Sequence, residues 1–163
     1  LPLSGESLLN SRTLSQLIDT LAAGPLRGER VIISLETSAL LNHTEALRPV
    51  LLQLRQLGCP ILLRHFGRNL EAFERLPQAD IDFLQLAPDL IANVHFSLMD
   101  EMLVSIIHGQ AQRLNIATVA GPVELPVALT TLASIGINAV WGPAVNGGEP
   151  LCALLENSFF AIK

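Results

Sequence analysis

The chain has 163 residues, 50% of them hydrophobic and 15% charged, with a formal net charge of −5. That length holds one domain with a substantial core, and the composition excludes intrinsic disorder. An acidic balance without any Lys/Arg-rich stretch excludes an electrostatic nucleic-acid surface, and apolar runs as short as "VIISL" and "PILL" exclude a membrane span.

In chain order, a weak N-terminal strand comes first, then an apolar strand predicted at 31–35. The stretch "TEALRPVLLQLRQLG" repeats Leu47, Val50, Leu51, Leu54 and Leu57 at helical spacing, and Gly58 stands where such a helix stops. Strands follow at 61–64 and 81–86. "SLMDEMLVSIIHGQAQRLN" carries Leu98, Met102, Ile106 and Leu114 on one helical stripe ending at Asn115. A strand at 116–119 precedes "ELPVALTTLASIG", a helix stopped by Gly136, and a last strand lies at 139–141. Near-continuous apolar strands alternating with amphipathic helices are the grammar of a parallel sheet covered on both faces.

About six such βα units are expected, an α/β fold that suits a doubly wound sheet or most of an eight-stranded barrel. Barrel chemistry sits at the carboxyl ends of strands, so 34–37, 64–67, 85–87, 120–124 and 141–143 are the stretches to read. One of them is odd. The apolar run "CPILLRHFG" ends in Arg64 and His65, a pair whose charge has the wrong sign for holding a metal cation.

The ordered series "ISLETSALL", "LRQLGCPILLRHFG", "LPQADIDFLQLAPDLI", "LNIATVAGPVE" and "LASIGINAVWGPAV" resembles the EAL domain of cyclic-di-GMP phosphodiesterases. No one of these motifs is specific; their order and separations are. The resemblance implies a TIM-like (βα) barrel of EAL type, incomplete at its N-terminus, with the whole chain, 1–163, forming one EAL-like fragment. In that family carboxylates hold divalent metals that hydrolyse cyclic di-GMP. Here the family's metal-ligating Asn is Pro2, the first Glu of its Glu-x-Thr-Glu strand is Ser34, and its Asp-Asp pair is Arg64-His65. The lysine of its Lys-Ile-Asp stretch is Gln85 and the aspartate Ala87. The glutamate of Ala-Glu-Gly-Val-Glu is Gly121, although the last glutamate survives as Glu124, and the glutamine of Gln-Gly is Trp141.

Elementary chemistry points the same way. Mg²⁺ takes hard oxygen ligands, preferably carboxylates. Exchanging two adjacent carboxylates for a permanent cation and an imidazole repels the metal, and without metal there is no activated water for phosphodiester hydrolysis. The resemblance therefore implies a catalytically silent regulatory or protein-interaction domain of a bacterial signalling protein, with no cofactor, no metal and no catalytic residue. A non-hydrolysing cyclic-di-GMP receptor is the alternative, drawing on Arg64, Arg68, Glu124 and Trp141. A working phosphodiesterase is nearly excluded. "RVIISL" and "LRPVLLQL" are also similar to the degenerate EAL domain of small-RNA-turnover regulators, but the acidic charge argues against direct RNA contact.

Blander readings compete at each position. His65 with Glu36 or Glu124 is a conceivable rebuilt ligand set, yet a polar strand-end histidine fits better beside Arg64. Arg64 and Arg68 suit a phosphate, or a salt bridge from Arg64 to Glu71 or another acidic neighbour. His43, His95 and His108 read as surface or loop residues, and Trp141 as buried at the barrel mouth. "VNGGEP" reads as a turn, and Ser34, Thr37 and Ser38 lie in no nucleophile elbow. Cys59 and Cys152, without CxxC spacing, fit a reducing cytosol. A chain that begins with Leu and carries no targeting segment reads as a cytoplasmic piece of a longer protein, whose parent is free to be membrane-anchored. Missing barrel strands leave edges unpaired, so a protein partner or self-association is expected.

Overall fold

Ile33, Leu35, Ile61 and Leu63 are fully withdrawn from solvent, as strands covered on both faces require. In the computed structural model, which describes residues 1–23, 31–69 and 71–146, they lie on β1 (Ile33–Glu36) and β2 (Ile61–Phe66). The remaining strands are β3 (Phe83–Leu86), β4 (Ala117–Ala120) and β5 (Ala139–Val140), and the five form one sheet in chain order. The predicted sixth, N-terminal strand is reduced to a parallel bridge from Pro2 to Ser34. Proline has no N–H to give a ladder, so only the flanking residues bond. The Leu3 N–H donates to the Ser34 carbonyl at 2.9 Å, and the Ser34 N–H to the Leu1 carbonyl at 2.9 Å.

The chain divides into two compact units, the first Leu1–Phe83 and the second beginning at Leu84. In the first, β1 and β2 pair in parallel with Ser34 opposite Leu62 and Glu36 opposite Arg64. Two short helices open it, α1 (Gly5–Leu9) and α2 (Ser11–Ala23). Ser4 caps α1 by accepting the Ser7 N–H at 3.1 Å. The crossover from β1 is α3 (Thr37–Gln56), broken at His43, where φ is −137° and ψ 29°. It starts earlier than the predicted helix because the residues after β1 turn directly into it. Pro49 inside α3 costs about 3 kcal/mol in a helix interior. Leu47, Leu51 and Leu54, all buried, stabilise by about 2 kcal/mol each, so the packed face wins. Gly58, with φ 83°, closes the segment as predicted. Between β2 and β3 the described residues form only the single turn α4 (Ala72–Arg75) and a 3₁₀ turn at Leu76–Gln78.

In the second unit, β4 and β5 pair in parallel, Val119 opposite Ala139. Its helices are α5 (Pro88–Asn93), α6 (Leu98–Arg113), α7 (Pro126–Ile135) and α8 (Pro143–Asn146). Ser97 caps α6 through the Asp100 N–H, Asn115 takes a left-handed φ of 57° beyond its end, and Gly136 ends α7 with φ 94°. One expectation is reversed. The stripe Leu98, Met102, Ile106 and Leu114 exists but faces solvent, with Met102 52% and Leu98 69% exposed. The core face of α6 is Val104, Ile107 and Ala111. Residues two apart lie about 200° round a helix, so Met102 and Val104 mark opposite sides, and spacing alone does not say which side packs.

No helix among the described residues is long and apolar enough to cross a membrane. Cys59 is buried and its thiol pKa is raised by desolvation. Cys152, and most of the "VNGGEP" turn, lie outside the described residues.

Candidate functional site

At the ends of β1 and β2 the sequence brings three candidates together. Because the register sets Glu36 directly opposite Arg64, the guanidinium reaches the carboxylate and Nη2 donates to Oε1. His65 Nδ1 stands 2.7 Å from the other oxygen, Oε2. A carboxylate only accepts, so Nδ1 carries the hydrogen. The salt bridge expected of Arg64 therefore goes to Glu36. Thr37, no nucleophile by its sequence setting, ties the strand end down by donating its hydroxyl to the Arg64 carbonyl at 2.7 Å. His65 adopts a left-handed φ of 57° and Gly67 a φ of 117°, so the chain turns sharply as it leaves β2, with Arg68 exposed on that turn. Ser34 is 7% exposed and is flanked through backbone pairing by Pro2. Arg64 Nε is buried without a hydrogen-bond partner, so the guanidinium is spent on one carboxylate.

The ends of β3, β4 and β5 bring together Gln85, Gly121 and Trp141. Gln85 Nε2 donates weakly to the Gly121 carbonyl at 3.4 Å. Ala87, where the resemblance expects an aspartate, is buried and starts α5. The segments after β4 and β5 are joined through their backbones: Trp141 N–H to the Ala120 carbonyl at 3.1 Å, Val123 N–H to the Trp141 carbonyl at 2.8 Å, and Ala144 N–H to the Val123 carbonyl at 2.9 Å. Trp141 is 47% exposed rather than buried, because its backbone is bonded in this clasp and part of the indole is left in solvent. Glu124 is exposed on the rim of a cleft of about 270 Å³ lined by Pro88, Asp89, Ile91, Ala92, Pro122, Leu125 and Ala128.

These residues do not fit a divalent metal. Among the described residues no group of three or more His, Cys, Asp or Glu is placed to hold one, and the carboxylate at the β1 end is engaged by a cation and an imidazole. We derive no chemistry through a metal.

His108 corrects the surface reading. It is half-buried on α6, with Nδ1 2.8 Å from the Thr118 hydroxyl. Thr118, fully buried on β4, donates its hydroxyl to Asn138 Oδ1 at 3.0 Å and its N–H to the same oxygen at 2.8 Å. With that hydroxyl hydrogen used, His108 Nδ1 donates. Desolvation by burial lowers the imidazole pKa. His95 is half-buried, with its Nδ1 unpartnered. Nothing in the sequence marks these placements, since lone histidines carry no spacing signal.

Comparison with known proteins identifies the family. The EAL domain family model matches residues 1–146. The chain is 39% identical over its whole length to "Probable diguanylate cyclase DgcE" of Escherichia coli, of which it spans 14%, and 25% identical over 94% of its length to cyclic di-GMP phosphodiesterase PdeF of the same organism, of which it spans 21%. Its fold is that of solved EAL domains. The Xanthomonas citri FimX EAL domain in complex with c-diGMP superposes with a TM-score of 0.79 at 21% identity, over 86% of this chain and 56% of that one. Klebsiella pneumoniae BlrP1, in a calcium and cyclic-diGMP complex, gives 0.77 at 26% identity over 86% and 36%. The α/β fold with its parallel sheet is thus TIM-like, and the chain belongs to the EAL domain family.

Proposed function

We propose that this domain is catalytically silent and serves as a regulatory interaction module within a longer, cytosolic cyclic-di-GMP signalling protein. The observation that carries the reading is the fate of Glu36, whose two carboxylate oxygens are engaged by Arg64 and His65. A metal would have to displace a guanidinium and then sit beside it, which disfavours its binding, and without a metal hydrolysis lacks the activated water. The relatives support the reading. One is named a probable diguanylate cyclase and four are named cyclic di-GMP phosphodiesterases, which supports the link to cyclic-di-GMP signalling. A protein partner is the second half of the proposal, and the exposed apolar side of α6, with Phe96, Met99, Met102 and Ile106, is the surface offered to it.

The test is turnover of cyclic di-GMP with Mg²⁺ or Mn²⁺, together with calorimetric titration of the same nucleotide with and without metal. The expected result is no turnover; product above a buffer blank defeats the silent reading. A second reading, a receptor that binds cyclic di-GMP without cutting it, is favoured by the c-di-GMP-bound FimX neighbour. On that reading binding is metal-independent, and separate alanine substitutions at Arg64, Arg68, Glu124 and Trp141 each weaken it. The charged contact at Arg64 is then worth about 1.5–3 kcal/mol. Absence of heat leaves the interaction module alone.

A further inference from the structure

Gly121 has a φ of +154°, and a β-carbon built there falls 2.5 Å from the Trp141 carbonyl oxygen, 2.6 Å from indole Nε1 and 2.7 Å from Cδ1. Real β-carbon contacts essentially never fall under 3.0 Å. The indole therefore stands in the space that any side chain at 121 would need on leaving the backbone. Its main chain has no freedom to withdraw, because it is bonded to Ala120 on one side and Val123 on the other.

We propose that Trp141 is a plug that closes the β4 end to a carboxylate: its indole fills the volume of a side chain at position 121, so a glutamate introduced there alone is not accommodated. The inference rests on the reading of the domain as silent and gives that silence a packing cause in addition to the missing ligands. Gly121 and Trp141 then form one device. With Trp141 in place, a larger residue at 121 is destabilising, whatever it offers chemically. The carbonyl contact and the glycine-only backbone angle oppose a side chain as well, but only the indole contribution disappears when Trp141 is truncated.

Trp141 is the chain's sole tryptophan, so intrinsic fluorescence reports on the plug directly. The experiment compares urea unfolding of the wild type, Gly121→Ala, Trp141→Gly and the double variant, with unfolding followed by far-UV circular dichroism and tryptophan emission recorded where Trp141 is present. Gly121→Ala is expected to raise the unfolding constant by a factor roughly fivefold or more greater in the wild type than in the Trp141→Gly background. In Gly121→Ala the emission shifts to the red and acrylamide quenching rises, as the indole is pushed into water. Equal factors in both backgrounds, or an unmoved emission, overturn the plug. If Gly121→Ala does not fold, folding of the double variant supports the proposal, and failure of the double variant where Trp141→Gly folds overturns it. No nucleotide enters these readouts. Turnover by the wild type would defeat the silent reading and leave the plug standing; an additive cycle would do the reverse.

Discussion

On the reading proposed above, the strand ends of the two units are closed to a metal for different physical reasons. At β1 and β2 the obstacle is charge: Glu36 is present, but Arg64 and His65 hold both of its oxygens. At β4 and β5 it is space, since Gly121 has no room for a β-carbon and the neighbouring backbone is bonded shut. A charge obstacle sits on side chains and is exchangeable by substitution, at a cost set by exposure and screening. A packing obstacle is shared among backbone groups and resists any one change.

The largest effect is expected at the packed end. A β-carbon at Gly142, where φ is +136°, falls 2.3 Å from the Val123 nitrogen. Gly142→Ala should therefore destabilise by about 3 kcal/mol or more, adding backbone strain to overpacking. Thermal melting checks this, each kcal/mol being worth roughly 2–4 °C in a domain of this size. A melt unchanged within a degree means the clasp yields and the contrast is lost.

Glu36→Gln probes the charged end and should cost about 1 kcal/mol, because both side chains of the ion pair are about one-third exposed, at 33% and 34%. Chemical denaturation measures it, and the cost should shrink at high salt. The double substitution Arg64→Asp with His65→Asp sharpens the same point. It would gather three carboxylates at the β1 and β2 ends, so calorimetry should register divalent-cation binding, while cyclic-di-GMP turnover stays absent because Ser34, Gln85 and Gly121 are unchanged. Turnover in that variant, with none in the wild type, would show that charge alone accounts for the proposed silence.

A smaller effect concerns His108. Its pKa is lowered in the fold by burial, so between the folded and unfolded values the unfolded chain binds more protons. Stability is then full above the unfolded value near 6.5 and falls as pH drops below it. His108→Gln should flatten the pH dependence of the unfolding midpoint across that window. Met102→Lys, on the outward side of α6, should change stability by less than about 0.5 kcal/mol. If that face takes a partner or a second copy, the same change should abolish the association in light scattering.

Much was legible in the sequence. The nearly continuous apolar runs around Ile33, Ile61 and Leu84, the stops at Gly58 and Gly136, and the ordered strand-end motifs determined a parallel α/β sheet and an EAL-type chain, because strand burial and helix termination are local preferences written into residue type. The odd residues at the strand ends were legible too. What Arg64 pairs with, which side of α6 is buried, why His108 is not a surface histidine and why Gly121 admits no side chain belong to tertiary structure. Each depends on what another segment places against it: the register that sets Glu36 opposite Arg64, the core that takes Val104 and Ile107 instead of Met102, Thr118 against His108, and Trp141 against Gly121. A one-dimensional pattern records the period of a helix and the sign of a charge, but contact partners distant along the chain are decided only when close packing brings them together.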